Sequence, residues 1–83
     1  MPERTTVVDA VVARIADIIP EAKAQPPSVD QDLREFAGFD SLGILELLVW
    51  LESEFSIVIP DEELIVDNFT SIGKMADYVM AHH

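Results

Sequence analysis

Few of the 83 side chains are suited to covalent chemistry. There is no cysteine, so a thiol nucleophile, a disulfide staple and a thiolate metal site are all excluded. The histidines are His82 and His83, both at the very end of the chain. What remains is a hydroxyl in an informative setting, Gly38-Phe39-Asp40-Ser41-Leu42, which runs on into Gly43-Ile44-Leu45-Glu46-Leu47-Leu48-Val49-Trp50-Leu51-Glu52. Aspartate is a favoured N-cap because its side chain accepts from free N–H groups of the first turn. Asp40 therefore starts a helix, Gly38 allows a tight approach before it, and Ser41 stands exposed near the positive end of the helix dipole. That is where a phosphate or phosphodiester is best tolerated. Ser41 either helps Asp40 cap the helix or accepts a group there. It does not read as a nucleophile of the chain's own, because serine needs a base held by a third group and neither histidine is placed to serve. The hydrolase elbow Gly-x-Ser-x-Gly also fails, with Phe39 where its first glycine belongs. The chain is not expected to be an enzyme.

The elements that must position Ser41 follow from apolar spacing. Met1 to Thr5 reads as a frayed end. Thr6 with Asp9 three residues on resembles a capping box, and Val8, Val11, Val12, Ile15, Ile18 and Ile19 give a first helix with one apolar face, ended by Pro20. Residues 21–32 read as a loop, with Pro26-Pro27 forcing an extended path and a short turn at 28–32. Leu33, Phe36 and Phe39 read as a plug pinning this loop to the core. The second helix spans Ser41 to Phe55. At the helical repeat, Ile44, Leu47, Leu48, Leu51 and Phe55 form its core stripe. Leu42, Leu45 and Val49 form a second apolar stripe, which either lies under a later helix or meets a partner. Ser56 to Pro60 reads as an extended connector anchored by Ile57 and Ile59. Pro60-Asp61-Glu62-Glu63 starts a short third helix, expected over Asp61 to Val66. Thr70-Ser71 caps a last helix in which Ile72, Met75, Ala76 and Val79 share a face, at a cost from Gly73 of up to about 1 kcal/mol relative to alanine. The expectation is one all-α domain over 1–83, a small bundle of three longer helices and one short one with a long first loop.

Asp plus Glu number 16 against 5 Lys plus Arg, for a net charge of −11. From Asp30 to Asp67 eleven acids face a single base, Arg34. Such a surface repels nucleic acid and anionic membranes and steers towards basic protein patches. No apolar run approaches the length of a membrane span and no secretory leader is read, so a cytoplasmic monomer is expected. The acids do not match the spacing of an EF-hand loop, and no metal site is assigned.

Asp40-Ser41-Leu42 opening a helix resembles the phosphopantetheine attachment site of the acyl carrier protein family. The resemblance continues through Glu46-Leu47, Leu51-Glu52, Phe55, Ile59-Pro60-Asp61-Glu62-Glu63 and the segment around Tyr78, and so spans nearly the whole chain. It implies that a phosphopantetheinyl transferase moves 4′-phosphopantetheine from coenzyme A onto Ser41, and that acyl groups then ride on the arm's thiol as thioesters. A chain without cysteine would take its reactive sulfur from that group. The resemblance also implies that Asp40, Leu42, Leu45, Glu46, Val49, Glu52 and Glu62 meet the transferase and the acyl-loading and acyl-processing enzymes, whose patches would be basic. Glu52 and Glu62 read equally as solvated acids. Gly43, Trp50 and the apolar pair Ile65-Val66 depart from typical fatty-acid carriers, which points to polyketide assembly or another specialised pathway. Fatty-acid synthesis and aminoacyl or peptidyl transfer remain alternatives. An acidic helical interaction module that never carries an arm is the reading from a different class.

Overall fold

A helix with one apolar stripe must lay that stripe on another element, and the chain satisfies this with helices alone among the described residues. A computed structural model describes residues 3–36 and 39–82. Gly38, expected to allow a tight approach to Asp40, lies outside the described residues, as does His83. The longer helices are α1 (Arg4–Ile18), α3 (Ser41–Phe55) and α4 (Ile72–His82), with a one-turn α2 (Glu21–Ala24) and 3₁₀ turns at Leu33–Glu35 and Val66–Phe69. α1 packs on α4, α2 and α3, and the turn Val66–Phe69 bridges α3 and α4. The shared core takes Val7, Val11 and Ile15 from α1, the stripe Ile44, Leu47, Leu48, Leu51 and Phe55 from α3, and Ile72, Met75, Ala76 and Val79 from α4. No helix among the described residues is long and apolar enough to cross a membrane.

Several local expectations are corrected. α1 starts at Arg4, ahead of the expected cap, and Glu3 at its N-cap makes no side-chain capping bond. Thr6 and Asp9 lie within the helix. Residues 4 and 5 are helical instead of frayed, and Arg4 Nε makes an exposed ion pair with Asp77 Oδ1 on α4 at 3.1 Å; Met1 and Pro2 lie outside the described residues. The buried face of α1 centres on Val7, Val11 and Ile15, with Val8, Val12 and Ile18 on its border. The expected loop after Pro20 contains α2, which starts at a proline already set in helical geometry and is anchored by buried Ala22.

The short third helix falls later than expected. Asp61–Glu63 forms a turn, Ile65 is extended, and the helical turn is Val66–Phe69. The Glu63 carbonyl accepts from Ile65 N at 2.8 Å and from Asn68 Nδ2 at 3.2 Å, bonds that fold the chain back instead of winding it on. β-branched Ile65 and Val66 do little to oppose this. The connector behaves as expected: Ile57 and Ile59 are buried while Val58 faces out. Ser56, with φ of 54°, turns α3 off in the left-handed conformation, and Ile57 N donates to the Glu52 carbonyl at 3.1 Å.

Two features tie the long loop and the late turn to α4. Gly73 N donates to the Val29 carbonyl at 2.9 Å and Leu33 N to the Thr70 carbonyl at 2.7 Å. A Cβ on Gly73 would stand 3.0 Å from Val29 Cγ1 and 3.3 Å from the Val29 carbonyl oxygen, so the residue that weakens the helix is the one that lets the loop dock. Tyr78 donates to Glu63 Oε2 at 2.6 Å, meets Phe69 edge-on at 5.2 Å and stacks on His82 at 3.9 Å. Partial burial, and then the Glu63 hydrogen bond, push its hydroxyl up to about 12.

Gly43→Ala, whose Cβ would meet only ordinary contacts near 3.6 Å, should raise stability by up to about 1 kcal/mol through helix propensity. Gly73→Ala should lower it by about 1 kcal/mol through overpacking, and urea denaturation midpoints of the two variants test the opposite signs. Tyr78 is the sole tyrosine, so its ionisation can be followed by tyrosinate absorbance. Its ordinary pKa is about 10, so the raised folded value adds stability that is fully present below about pH 10. That stability is lost as pH rises through about 12. Glu63→Gln should bring the midpoint part of the way down; a native midpoint near 10 overturns the assignment.

Candidate functional site

The site is the start of α3. Asp40 is extended, and its Oδ1 accepts from Gly43 N at 3.0 Å, which is the capping bond expected from the sequence. Ile44 N donates back to the Asp40 carbonyl at 3.1 Å. Ser41 is the first helical residue and is exposed. Among the described residues its hydroxyl has no hydrogen-bond partner, and the side-chain cap of the helix belongs to Asp40. Phe39, just before the cap, is buried and fixes the entry of the chain.

Ser41, Asp40, Phe39, Phe36 and Arg34 together line a shallow cleft of about 360 Å³. Ser41 reaches it for a geometric reason. At about 100° per residue it lies roughly 60° round the helix from the middle of the core stripe, towards the loop that ends in Phe39. The plug residues divide their work: Leu33 and Phe39 are buried, while Phe36 is half-buried and forms part of the cleft wall. Arg34 was not legible as part of this site. Its signal in the sequence is its isolation, as the sole base between Asp30 and Asp67.

The expected partner residues divide by position. Leu42 and Val49 are 64% and 62% exposed on the outer face of α3, about two turns apart, with Glu46 exposed between them. Leu45 is half-buried and packs against the core, so it belongs to both stripes. Glu52 is half-buried, and its Oε2 accepts from Ile59 N at 3.0 Å, clasping the connector to the end of α3. Glu62 is exposed in the turn after Pro60, away from the α3 row in sequence. The outer apolar surface also includes Val58 and Ile65. His82 Nδ1 lies 3.0 Å from the Tyr78 carbonyl oxygen and its ring stacks on Tyr78, an engagement that belongs to α4.

Two cations stand among the acids here: Arg34, which lines the cleft, and Lys74, whose Nζ donates to the Asp67 carbonyl at 3.1 Å. Asp32 accepts from Arg34 Nε at 3.1 Å and from Arg34 Nη2 at 2.9 Å, and these side-chain bonds, with that of the Arg34 amide, hold the Asp32 carboxyl below its usual range. The residues present fit a serine-linked phosphodiester: Ser41 is exposed, it lies at a capped helix start, and a basic residue, Arg34, lines the same opening.

Comparison with known proteins gives a consistent result. Residues 9–79 match the family described as the phosphopantetheine attachment site. The chain is similar to the mitochondrial acyl carrier protein of Saccharomyces cerevisiae, at 33% identity over 81 residues, which is 89% of this chain and 63% of that protein. It thus spans less than two thirds of that relative's length. It is also similar to acyl carrier proteins of Clostridium acetobutylicum and Rickettsia bellii, each at 35% identity over 75 residues and 87% of this chain. Those alignments cover 95% and 81% of the two relatives. No solved structure matches the chain significantly.

Removing the cap tests the local architecture. Asp40→Ala should destabilise the protein by about 1 kcal/mol, whereas Asp40→Asn should retain most of the stability. Thermal unfolding of the pair checks this; equal losses in the two would mean that the side-chain cap is not what holds the helix start.

Proposed function

The chain belongs to the acyl carrier protein family, and on that premise we propose that Ser41 is the residue that takes the 4′-phosphopantetheine arm. Members of the family carry acyl groups and do not catalyse; this protein is a carrier, with phosphopantetheine as its prosthetic group. The observation that supports Ser41 is its exposed position on the first residue of a helix already capped by its neighbour, with no hydrogen-bond partner for its hydroxyl among the described residues. In the transfer, the Ser41 Oγ–phosphorus bond forms and a phosphoanhydride bond of coenzyme A breaks. Adenosine bisphosphate leaves, and the hydroxyl proton passes to the transferase. Once attached, the group supplies a terminal thiol that holds acyl groups as thioesters.

The partner face in this proposal is the outer side of α3. Leu42 and Val49 offer apolar contact, Leu45 their shared border, and Asp40 and Glu46 the charge that meets basic residues of the transferase and the acyl-handling enzymes. Opposite charges of this kind favour encounter rate and partner choice over raw affinity. Glu62 extends the acidic field. Glu52 holds the connector through Ile59 N, and its place in the face is to fix that edge of α3. The unit acts as one carrier domain over 1–83 and as a monomer, with the cytoplasm as its setting. A mitochondrial setting, the word in the yeast relative's name, is the alternative.

For the pathway, we infer polyketide or related specialised assembly over fatty-acid synthesis. Support comes from Gly43 and Trp50 on α3 and from the apolar, partly exposed Ile65-Val66 segment. Trp50 is half-buried, with the Arg14 guanidinium 5.9 Å from its ring centre, and gives this carrier a bulky feature on the flank opposite Leu45. A holo chain loaded by a fatty-acid malonyl transferase as readily as a fatty-acid carrier is would overturn the pathway assignment.

Intact mass after incubation with coenzyme A, Mg²⁺ and a broad-specificity phosphopantetheinyl transferase tests the attachment. The native chain should gain one phosphopantetheine, and Ser41→Ala should gain none while keeping its helical circular dichroism. A folded native chain that gains nothing leaves the acidic interaction module as the function; a gain in Ser41→Ala moves the attachment to another residue.

A further inference from the structure

One of the five residues that line the cleft beside Ser41 is basic, and a free-swinging arm gives that residue no task. Arg34 is the sole base in a span holding eleven acids, and it lines the same opening as Ser41. It is firmly mounted. Its own amide donates to Asp32 Oδ1 at 2.9 Å, and it sits in the turn Leu33–Glu35, where Leu33 is wholly buried and tied by its amide to the Thr70 carbonyl. A guanidinium carries five N–H donors. Asp32 occupies the Nε–Nη2 edge at 2.9–3.3 Å. Among the described residues the Nη1 group has only a 3.5 Å contact with the carboxylate of Asp67, which is itself strongly exposed. A long, exposed ion pair of that kind is weak and is readily exchanged for a better one.

We propose that Arg34 is a phosphate-recognition residue for this protein's own arm: its Nη1 side pairs with the phosphodiester joined to Ser41 Oγ, and the half-buried Phe36 ring gives the first apolar segment of the arm a surface to lie on. The inference rests on Ser41 being the attachment residue. The ligand class is a singly charged phosphodiester, which adds negative charge beside Asp40 and has no other base near it in sequence. A guanidinium is suited to it because it presents paired donors in a fixed plane. Asp32 keeps the guanidinium on its turn, and Asp67 is the competitor that the phosphodiester displaces. The arm therefore has a docked state with its root against the cleft and a free state, and the balance shifts towards the free state as salt screens the pair.

The test uses the holo protein, with attachment at Ser41 verified by intact mass, as wild type, Arg34→Gln, Arg34→Lys and Asp67→Asn. Phosphorus NMR reads the single phosphodiester across a salt series, and the Arg34 guanidinium resonances are compared between apo and holo wild type. In wild type at low salt the phosphorus signal should differ from that of a phosphopantetheinylated serine peptide, and it should approach the peptide value as salt rises. Arg34→Gln should give the peptide value at every salt, Arg34→Lys an intermediate one, and Asp67→Asn should move the low-salt signal further in the docked direction. The Arg34 guanidinium signals should shift on attachment. Identical phosphorus signals in wild type and Arg34→Gln, or no guanidinium response, overturn the inference and leave the attachment intact. If Arg34→Gln does not fold, the Asp67→Asn and Arg34→Lys signals decide in the same way. A protein that takes no arm at Ser41 overturns the functional reading and this inference together.

Discussion

Everything at the site depends on where α3 begins. Ile44, Leu47, Leu48 and Leu51 are wholly removed from water, and this sets the rotation of the helix. In that rotation Ser41 is not on the outer face, since it lies about 60° from the centre of the core stripe. It reaches solvent because the helix starts at Ser41, so no earlier turn is present to cover it. The Asp40 cap is therefore more than a source of local stability. By accepting from Gly43 N it satisfies the first turn without further helix, and the bulk of Phe39 turns inward just before it.

The opposite wall of the cleft is set from the far end of the chain. The loop between α2 and α3 has little helical hydrogen bonding of its own, and its fixed points are the Val29 carbonyl on Gly73 N and Leu33 N on the Thr70 carbonyl. Both partners belong to the entry into α4. Ser71 supports that entry, its Oγ accepting from Lys74 N at 3.2 Å. Thr70 and Gly73, well after Ser41 in the chain, thus hold the turn that carries Arg34 and the loop before it. A glycine at position 73 makes sense in these terms, because any side chain there would press on Val29 before it could improve the helix.

How much of this was legible in the sequence depended on whether a residue's role was local. The Asp40 cap, the bounds and core stripe of α3, the inward Ile57 and Ile59, and the face of α4 all follow from spacing within one element, and all are found. The resemblance carried by Asp40-Ser41-Leu42 and its downstream register is matched by the family over residues 9–79. Roles set by distant contacts were not legible. α1 starts ahead of the expected cap, where Arg4 meets Asp77, seventy-three positions away. The short helical turn moved to Val66–Phe69 because Asn68 and Tyr78 take hold of Glu63, which no pattern within Asp61 to Val66 reveals. Glu52 looked like a surface acid because its partner, Ile59 N, becomes available only once the chain has turned through Ser56. Arg34 was visible as an isolated charge, but only folding the loop onto α4 brings it to Ser41.

The same logic separates two kinds of acid on this surface. Glu52, Glu63 and Asp32 each hold a specific donor, from Ile59, Tyr78 and Arg34 respectively, and so shape the protein. Exposed acids such as Glu46 and Glu62 hold no such donor among the described residues and contribute mainly to a long-range negative field, which weakens as salt shortens its reach. In the proposed function, contact falls on Leu42 and Val49, whose apolar surface remains in water. A carrier must meet several enzymes in turn and leave each of them. A field that speeds approach, joined to a small apolar contact that limits residence, suits that requirement better than one large complementary interface.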